Sequence, residues 1–235
     1  MCTVTLVPYD GGFRIACNRD ERRDRPSALP PASHACGKRL AIFPVDPVGG
    51  GTWVGVNDAG LAATLLNRTR FGDARPIAAQ SRGLIVPLVM AAQCWGEAML
   101  AAGRIDPTLY QPFRLVVVRG SLVGEVVSDG RRLSSTAAAL TGPRLFTSSS
   151  LGDTLVEEPR RRLFEQVIRD DRGDRRQAQW RFHRHRWPQQ PELSVAMERD
   201  EAMTVSRTVI DACVESVRLS YEILTNGQVS SARVA

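Results

Sequence analysis

The opening stretch, Met1-Cys2-Thr3-Val4-Thr5-Leu6-Val7-Pro8-Tyr9-Asp10-Gly11-Gly12-Phe13-Arg14-Ile15-Ala16-Cys17-Asn18-Arg19-Asp20-Glu21, decides how the rest of the chain is read. Residues 2–7 and 13–18 both mix β-branched and apolar side chains, and a turn containing Gly11 and Gly12 joins them, which is the pattern of a β-hairpin. If Met1 is removed, as the small second residue permits, Cys2 carries a thiol and a free amine: a nucleophile and a base in one residue. The returning strand brings Asn18, Arg19 and Asp20 back towards the point where Cys2 starts. A plainer reading of the same residues makes Cys2 a buried thiol on a first strand and Asn18 to Glu21 a hydrogen-bonded corner that supports the hairpin.

Outward from the hairpin, residues 22–31 are charged and then Pro-rich, which predicts a loop without regular structure. A strand over 40–43 leads to Gly49-Gly50-Gly51, then strands over 52–57 and 61–67 about a turn at Asp58-Ala59-Gly60. The triple glycine resembles a phosphate loop only weakly, since no Lys-Ser/Thr follows; close backbone approach at a strand start explains it better. Ser81 is placed to cap a helix kinked by Pro87, a short helix follows near 97–102, and residues 113–119 and 122–127 form a third hairpin. The stretch 145–150 opens as a strand and ends in a polar cluster. Leu163, Phe164, Val167 and Ile168 then sit at helical spacing behind Pro159 in the first turn, which puts Arg160-Arg161-Arg162 largely on the solvated side. Residues 193–197, 203–212 and 213–224 read as closing strands.

At 235 residues, one large layered domain spanning 1–235 is expected. No apolar run is long enough to span a bilayer and no secretory signal precedes the hairpin, so a soluble cytoplasmic protein is expected. The five cysteines are scattered with no Cys-x-x-Cys pair, which indicates neither a disulfide framework nor a structural zinc site. The net charge of +6 comes almost wholly from arginine and is spread along the chain, as in the product of a GC-rich genome, so it argues weakly for nucleic acid. Trp180 to Trp187 (WRFHRHRW) interleaves aromatics with cations as single-strand platforms do, and His183-x-His185 is half a metal site; with no third ligand nearby, an amphipathic strand or edge element is preferred. Neither a metal nor a cofactor is expected.

The Met-Cys start, Asn18 to Glu21 followed by Arg25-Pro26, the run Gly50 to Asn57, the run Gly60 to Asn67, and Ser81-Arg82-Gly83 occur in that order. Together they resemble the NRDE family, also called the transport and Golgi organisation family, over nearly the whole chain. That family is similar in layout to the N-terminal nucleophile hydrolases of the penicillin V acylase and bile salt hydrolase group. The resemblance implies an α+β, four-layer αββα sandwich: two antiparallel sheets between helical layers. Periodicity alone gives only α+β.

The resemblance also implies roles. Cys2 is the nucleophile, its own amine the base, and a thioester the intermediate on the way from a small acyl amide to the free acid. Asn67 matches an asparagine that donates to the oxyanion in the acylases. A second such asparagine falls near Ser148 here. Asp20 matches the aspartate that positions the nucleophile. An acylase arginine aligns with Cys17, while Arg19 sits on the same strand face and is placed to replace it; Arg207 is a candidate arginine near the pocket. The partner is then a small molecule, with pocket shape set by residues 22–31, 68–80 and 177–191. Some members of the family are associated with haem trafficking or acyl-lipid metabolism, so a non-catalytic carrier, with haem or an acyl lipid as cargo, is the alternative.

Overall fold

Alternating apolar side chains in the hairpin produce two long strands, β1 (Cys2–Tyr9) and β2 (Gly12–Arg22), in register with Cys2 opposite Arg19 and Val4 opposite Cys17. In the computed structural model, which describes residues 2–69, 79–171, 173–213 and 216–234, this hairpin lies inside a sheet rather than at its edge. β10 (Arg144–Thr147) pairs with β1, and β11 (Ala202–Cys213) pairs with β2; β12 (Val217–Ile223) and β13 (Val229–Val234) complete the order β10-β1-β2-β11-β12-β13.

A second antiparallel sheet runs in simple sequence order. It comprises β3 (Leu29–Cys36), β4 (Arg39–Val45), β5 (Val54–Asn57), β6 (Ala62–Asn67), β7 (Phe113–Arg119), β8 (Leu122–Ser128) and β9 (Leu133–Ala139). Residues one apart on these strands face opposite layers. Val4, Leu6, Ile15 and Cys17 of the first sheet meet Ile42, Val54, Val56 and Leu66 of the second in one core. Ala63, Leu65, Leu115 and Val117 face outwards onto α1 (Ile85–Met90) and α2 (Trp95–Gly103). A third cluster centred on Phe164, Phe182 and Val195 lies with α3 (Asp153–Arg169) and α4 (Arg175–Arg184) on the far side of the first sheet. The order helix, sheet, sheet, helix is the four-layer sandwich expected from the resemblance.

Several local expectations are corrected. Residues 22–31 are not all loop: Leu29, Pro30 and Pro31 start β3, an edge strand with a register shift between Leu29 and Ala32, where the missing proline N–H costs no ladder bond. Trp180 to Trp187 is not a strand. Its first half is the end of α4, which begins where Asp174 accepts hydrogen bonds from the N–H groups of Arg176 and Gln177 and which buries Ala178 and Phe182 one turn apart. Residues 193–197 form turns rather than a strand, and β9 and β13, poor in large apolar residues, are strands that alternation did not reveal.

Nor does Pro159 open its helix. α3 starts at Asp153, so Val156, Arg160 and Phe164 form a buried stripe at four-residue spacing and Arg160 is fully enclosed. Its Nη1 donates to the hydroxyls of Thr3 (2.8 Å) and Thr147 (2.7 Å), Nη2 to the Ser194 carbonyl (2.7 Å) and Nε to that of Leu193 (3.0 Å). Arg161 and Arg162 do face solvent, paired one turn back with Glu157 and Glu158. The neighbours in sequence therefore differ in worth. Arg160→Met leaves two carbonyls and two hydroxyls short of a donor, at about 1–3 kcal/mol for each group left unsatisfied. Urea denaturation is expected to show a loss of about 3 kcal/mol or more for Arg160→Met and, for Arg161→Met, a change within about 0.5 kcal/mol.

Candidate active site

Cys2 begins β1, and both of its backbone polar groups are bound by Ser148, the residue after β10. The Cys2 nitrogen donates to Ser148 Oγ at 3.1 Å, and the Ser148 N–H donates to the Cys2 carbonyl at 3.0 Å. The first strand is therefore held in place up to its first residue. The resemblance implies an oxyanion donor near Ser148; its hydroxyl instead accepts from the Cys2 nitrogen.

The Cys2 side chain points into the space between the sheets and lines a cleft of about 340 Å³ at one end of the sandwich. Arg19, directly opposite Cys2 in the β1–β2 register, lines it too, with its guanidinium 4.3 Å from the centre of the Trp53 ring. The orientation of Arg19 comes from Asp46, whose carboxylate accepts from Arg19 Nη2 (2.5 Å) and from Arg25 Nε (2.9 Å) and Nη2 (3.1 Å), and also from the N–H groups of Val48 and Gly49. These donors hold the Asp46 carboxyl below the usual carboxylate range despite the burial that pushes it up. Glu21 adds a second carboxylate 3.2 Å from Arg19. Arg19 of the tetrad and Arg25 just after it thus converge on one acidic turn, with Glu21 paired to both. Sequence reading missed Asp46, although the Asp46-Pro47-x-Gly49 pattern of an Asx-type turn was there to see.

That turn also explains the glycines. The Thr52 N–H donates to the Gly83 carbonyl at 2.9 Å, and a Cβ on Gly51 would overlap the Gly83 backbone, so two loops of the cleft wall touch main chain to main chain. Asn67, last residue of β6, also lines the cleft. Two residues on, the Thr69 N–H donates to the Asp153 carboxylate (3.1 Å), which also accepts from the Ser149 N–H (2.9 Å); the Asp153 N–H returns a bond to the Thr69 carbonyl (3.2 Å). Asp153 therefore ties the end of the Asn67 strand to the loop that holds Cys2. Of the loops expected to shape the pocket, residues 70–78 lie outside the described residues.

Strand alternation separates the tetrad. Cys17 and Arg19 face the sheet interface with Cys2, whereas Asn18 and Asp20 face the α3–α4 layer. Asp20 is buried and accepts from Thr204 Oγ1 at 2.6 Å; burial raises its pKa, against the pull of Arg160 and of that hydrogen bond. It remains close enough to Cys2 for its charge to push the thiol's pKa up. Asn18 and Arg207 are placed elsewhere than expected. They are register partners across β2 and β11, on the face turned away from the cleft. Arg207 Nε donates to Asn18 Oδ1 (3.3 Å), Arg207 Nη1 pairs with Glu222 (2.7 Å), and Asn18 Nδ2 donates to the carbonyls of His183 and Val195, each at 2.9 Å. The side chain of Arg207 is thus part of the packing of α4, not of the pocket.

His183 completes that packing. With the Asn18 amide nitrogen spent on carbonyls, Asn18 Oδ1 accepts from His183 Nδ1 (3.0 Å), which leaves Nε2 to accept from the Thr5 hydroxyl (2.7 Å). The ring is neutral: burial first, then the charges of Arg207, Arg14 and Arg160, hold its pKa well below the ordinary value. No group of three or more His, Cys, Asp or Glu side chains able to hold a metal occurs among the described residues, and none of their helices is long and apolar enough to cross a membrane.

The Transport and Golgi organisation 2 family profile matches residues 1–205. No curated protein sequence matches. Among solved structures the chain is similar to penicillin V acylase from Agrobacterium tumefaciens, with a TM-score of 0.59 and 14% identity over 98% of this chain and 85% of that one. It is also similar to a mutant conjugated bile acid hydrolase from Clostridium perfringens, with a TM-score of 0.59 and 12% identity over 99% and 92%. A third is the Caenorhabditis elegans ortholog of N-acylethanolamine-hydrolyzing acid amidase, with a TM-score of 0.58 and 15% identity over 89% and 92%. These are N-terminal nucleophile hydrolases, and at such identities the likeness is one of fold.

The neutral His183 gives the stability a defined acid limb. Its folded pKa lies below the unfolded value of about 6.5, so the unfolded chain takes the proton first and stability, complete above that value, falls as the pH drops through it, by at most about 1.4 kcal/mol per unit. Urea midpoints measured from pH 8 to pH 5 are expected to fall below about pH 6.5 in the wild type, and the part of that slope due to this ring is expected to vanish in His183→Gln.

Proposed function

We propose that this chain, which belongs to the Transport and Golgi organisation 2 family, is a cysteine amidohydrolase of N-terminal nucleophile type that cleaves the carbon–nitrogen bond of a small acyl amide. The observation that carries the reading is the seat of Cys2: thiol in the cleft, nitrogen on Ser148 Oγ. It is further supported by the fold shared with amide-cleaving enzymes.

The chemistry needs Met1 to be removed, which turns the Cys2 nitrogen into an amine. A free thiol with a pKa of about 8.5 and an α-amine of about 8 are matched closely enough for the amine to take the proton as sulfur attacks the carbonyl. The Cys2 thiol is held below its ordinary value, first by the Cys17 thiol beside it and further by the charge of Arg19, against burial and Asp20. The oxygen of the tetrahedral intermediate then carries negative charge, and the amide of Asn67, which lines the same cleft, is the proposed donor to it. Collapse expels the amine product, which takes its proton from the Cys2 ammonium, and leaves a thioester on Cys2. Water, deprotonated by the same amine, releases the acid.

In this scheme Ser148 holds the amine in line, and Asp153 keeps Asn67 and Ser148 at a fixed separation. The charged and polar lining of Arg19, Arg25, Asp46 and Gln111, with Trp53 and Leu65 as the apolar part, suits a small substrate with polar groups.

A panel of chromogenic acyl amides should show turnover that Cys2→Ala abolishes. Asn67→Ala is expected to lower kcat by about a hundredfold to a thousandfold, the usual loss on removing one oxyanion donor, with KM changed little. Saturable binding of haem or an acyl ligand without turnover, unaltered by Cys2→Ala, would instead make the protein a carrier.

A further inference from the structure

Beside the nucleophile stands a second thiol that the hydrolytic scheme does not consume. Cys2 is opposite Arg19 and Val4 is opposite Cys17, so Cys2 and Cys17 are diagonal neighbours on the same face of two paired strands. Both are buried and both belong to the core between the sheets, close enough for each thiol to shift the pKa of the other. Only Cys2 also lines the cleft, so a small solute reaches one sulfur first and the other through it. The remaining cysteines are elsewhere: Cys36 and Cys94 lie on the α1–α2 side, and Cys213, at the end of β11, contacts Ser216.

We propose that Cys17 is the resolving thiol for Cys2, and that a peroxide entering the cleft converts the pair into a reversible Cys2–Cys17 disulfide. In the first step the Cys2 thiolate attacks one peroxide oxygen; an S–O bond forms, the O–O bond breaks, and hydroxide leaves. In the second step Cys17 sulfur attacks the Cys2 sulfur; the S–S bond forms, the S–O bond breaks, and the departing hydroxide takes the Cys17 proton as water. Two thiols and one hydrogen peroxide thus become one disulfide and two waters, with sulfur oxidised and peroxide reduced.

The order of events follows from the electrostatics of the pair. In the resting protein Cys17 keeps its proton, its pKa being held well above the ordinary value by the Cys2 thiol and by burial. Once Cys2 is an uncharged sulfenic acid, the charge that opposed ionisation of Cys17 is gone, and the adjacent sulfur is now electrophilic. Diagonal strand neighbours have Cα atoms about 7–8 Å apart, whereas relaxed disulfides need about 4.4–6.8 Å. Closure therefore draws the two strands together at this point by about 1 Å, against the pairing that holds Cys2 on both sides. The strain left in such a bond raises its potential and makes it easy to reduce, so the pair protects the nucleophile from irreversible sulfinic acid rather than destroying it.

The test is peptide mapping after equimolar hydrogen peroxide and alkylation of free thiols. Trypsin cuts after Arg14 and Arg19, so the expected product is the N-terminal peptide ending at Arg14, with or without Met1, joined to residues 15–19, with the loss of two hydrogens, and it is expected to disappear on dithiothreitol treatment. Cys17→Ser and Cys17→Ala should each take Cys2 on to sulfinic and sulfonic acid, a gain of two or three oxygens that dithiothreitol does not reverse. The proposal is overturned if the wild type shows the same over-oxidation of Cys2 with Cys17 still alkylated, or if Cys2 is found joined to any other cysteine. Because the readout is the linkage itself, it stands apart from hydrolysis: the disulfide is expected even if no amide is cleaved.

Discussion

The constraint on which the rest depends is that β1 is paired on both sides up to its first residue. Chain ends usually fray, because nothing holds their backbone groups. Here the ladder from β2 reaches Cys2 on one side and Ser148 takes both of its backbone polar groups on the other. Arg160 locks the same point from behind, since its Nη1 bonds the hydroxyls of Thr3 and Thr147, which belong to β1 and β10 and lie next to Cys2 and Ser148. A residue seated this firmly has a defined position for both its sulfur and its nitrogen.

The cleft is polar because its arginines are already paired. Asp46 and Glu21 neutralise Arg19 and Arg25 and fix their directions, so the guanidinium beside Cys2 is a positioned group and not a mobile charge. Diagonal to Cys2 on the neighbouring strand, and on the same face, is a second thiol. Cys17 is a small thiol where the resemblance to acylases placed an arginine, and Arg19 lines the cleft from two residues further on. The site therefore differs from a simple copy of the acylase arrangement at Cys17 and at Ser148.

The parts of this fold legible in the sequence were those with local signals. The opening hairpin, the strands over 113–119 and 122–127, and the Ser81 cap each combine a turn or cap residue with a clear apolar period. Cys2, Arg19 and Asn67 came from ordered motifs, and all three line one cleft. What escaped notice depended on long-range contact. Arg160 is buried because it lies one turn before Phe164 on the inward stripe of α3, and the Ser148 hydroxyl finds Cys2 across 146 residues of sequence. Asn18 and Arg207 have residue types suited to a site, yet strand alternation turns them to the helical layer, where they support the neutral His183. Asp46 and Asp153 lie in no apolar pattern, and their roles appear only once two loops meet.

Intact mass of the purified protein decides most directly whether Cys2 is the chemical centre. A chain that begins at Cys2, with a free α-amine on the nitrogen that Ser148 holds, is the predicted result. A chain that retains Met1 would leave an amide nitrogen there with no basic lone pair, and would contradict it.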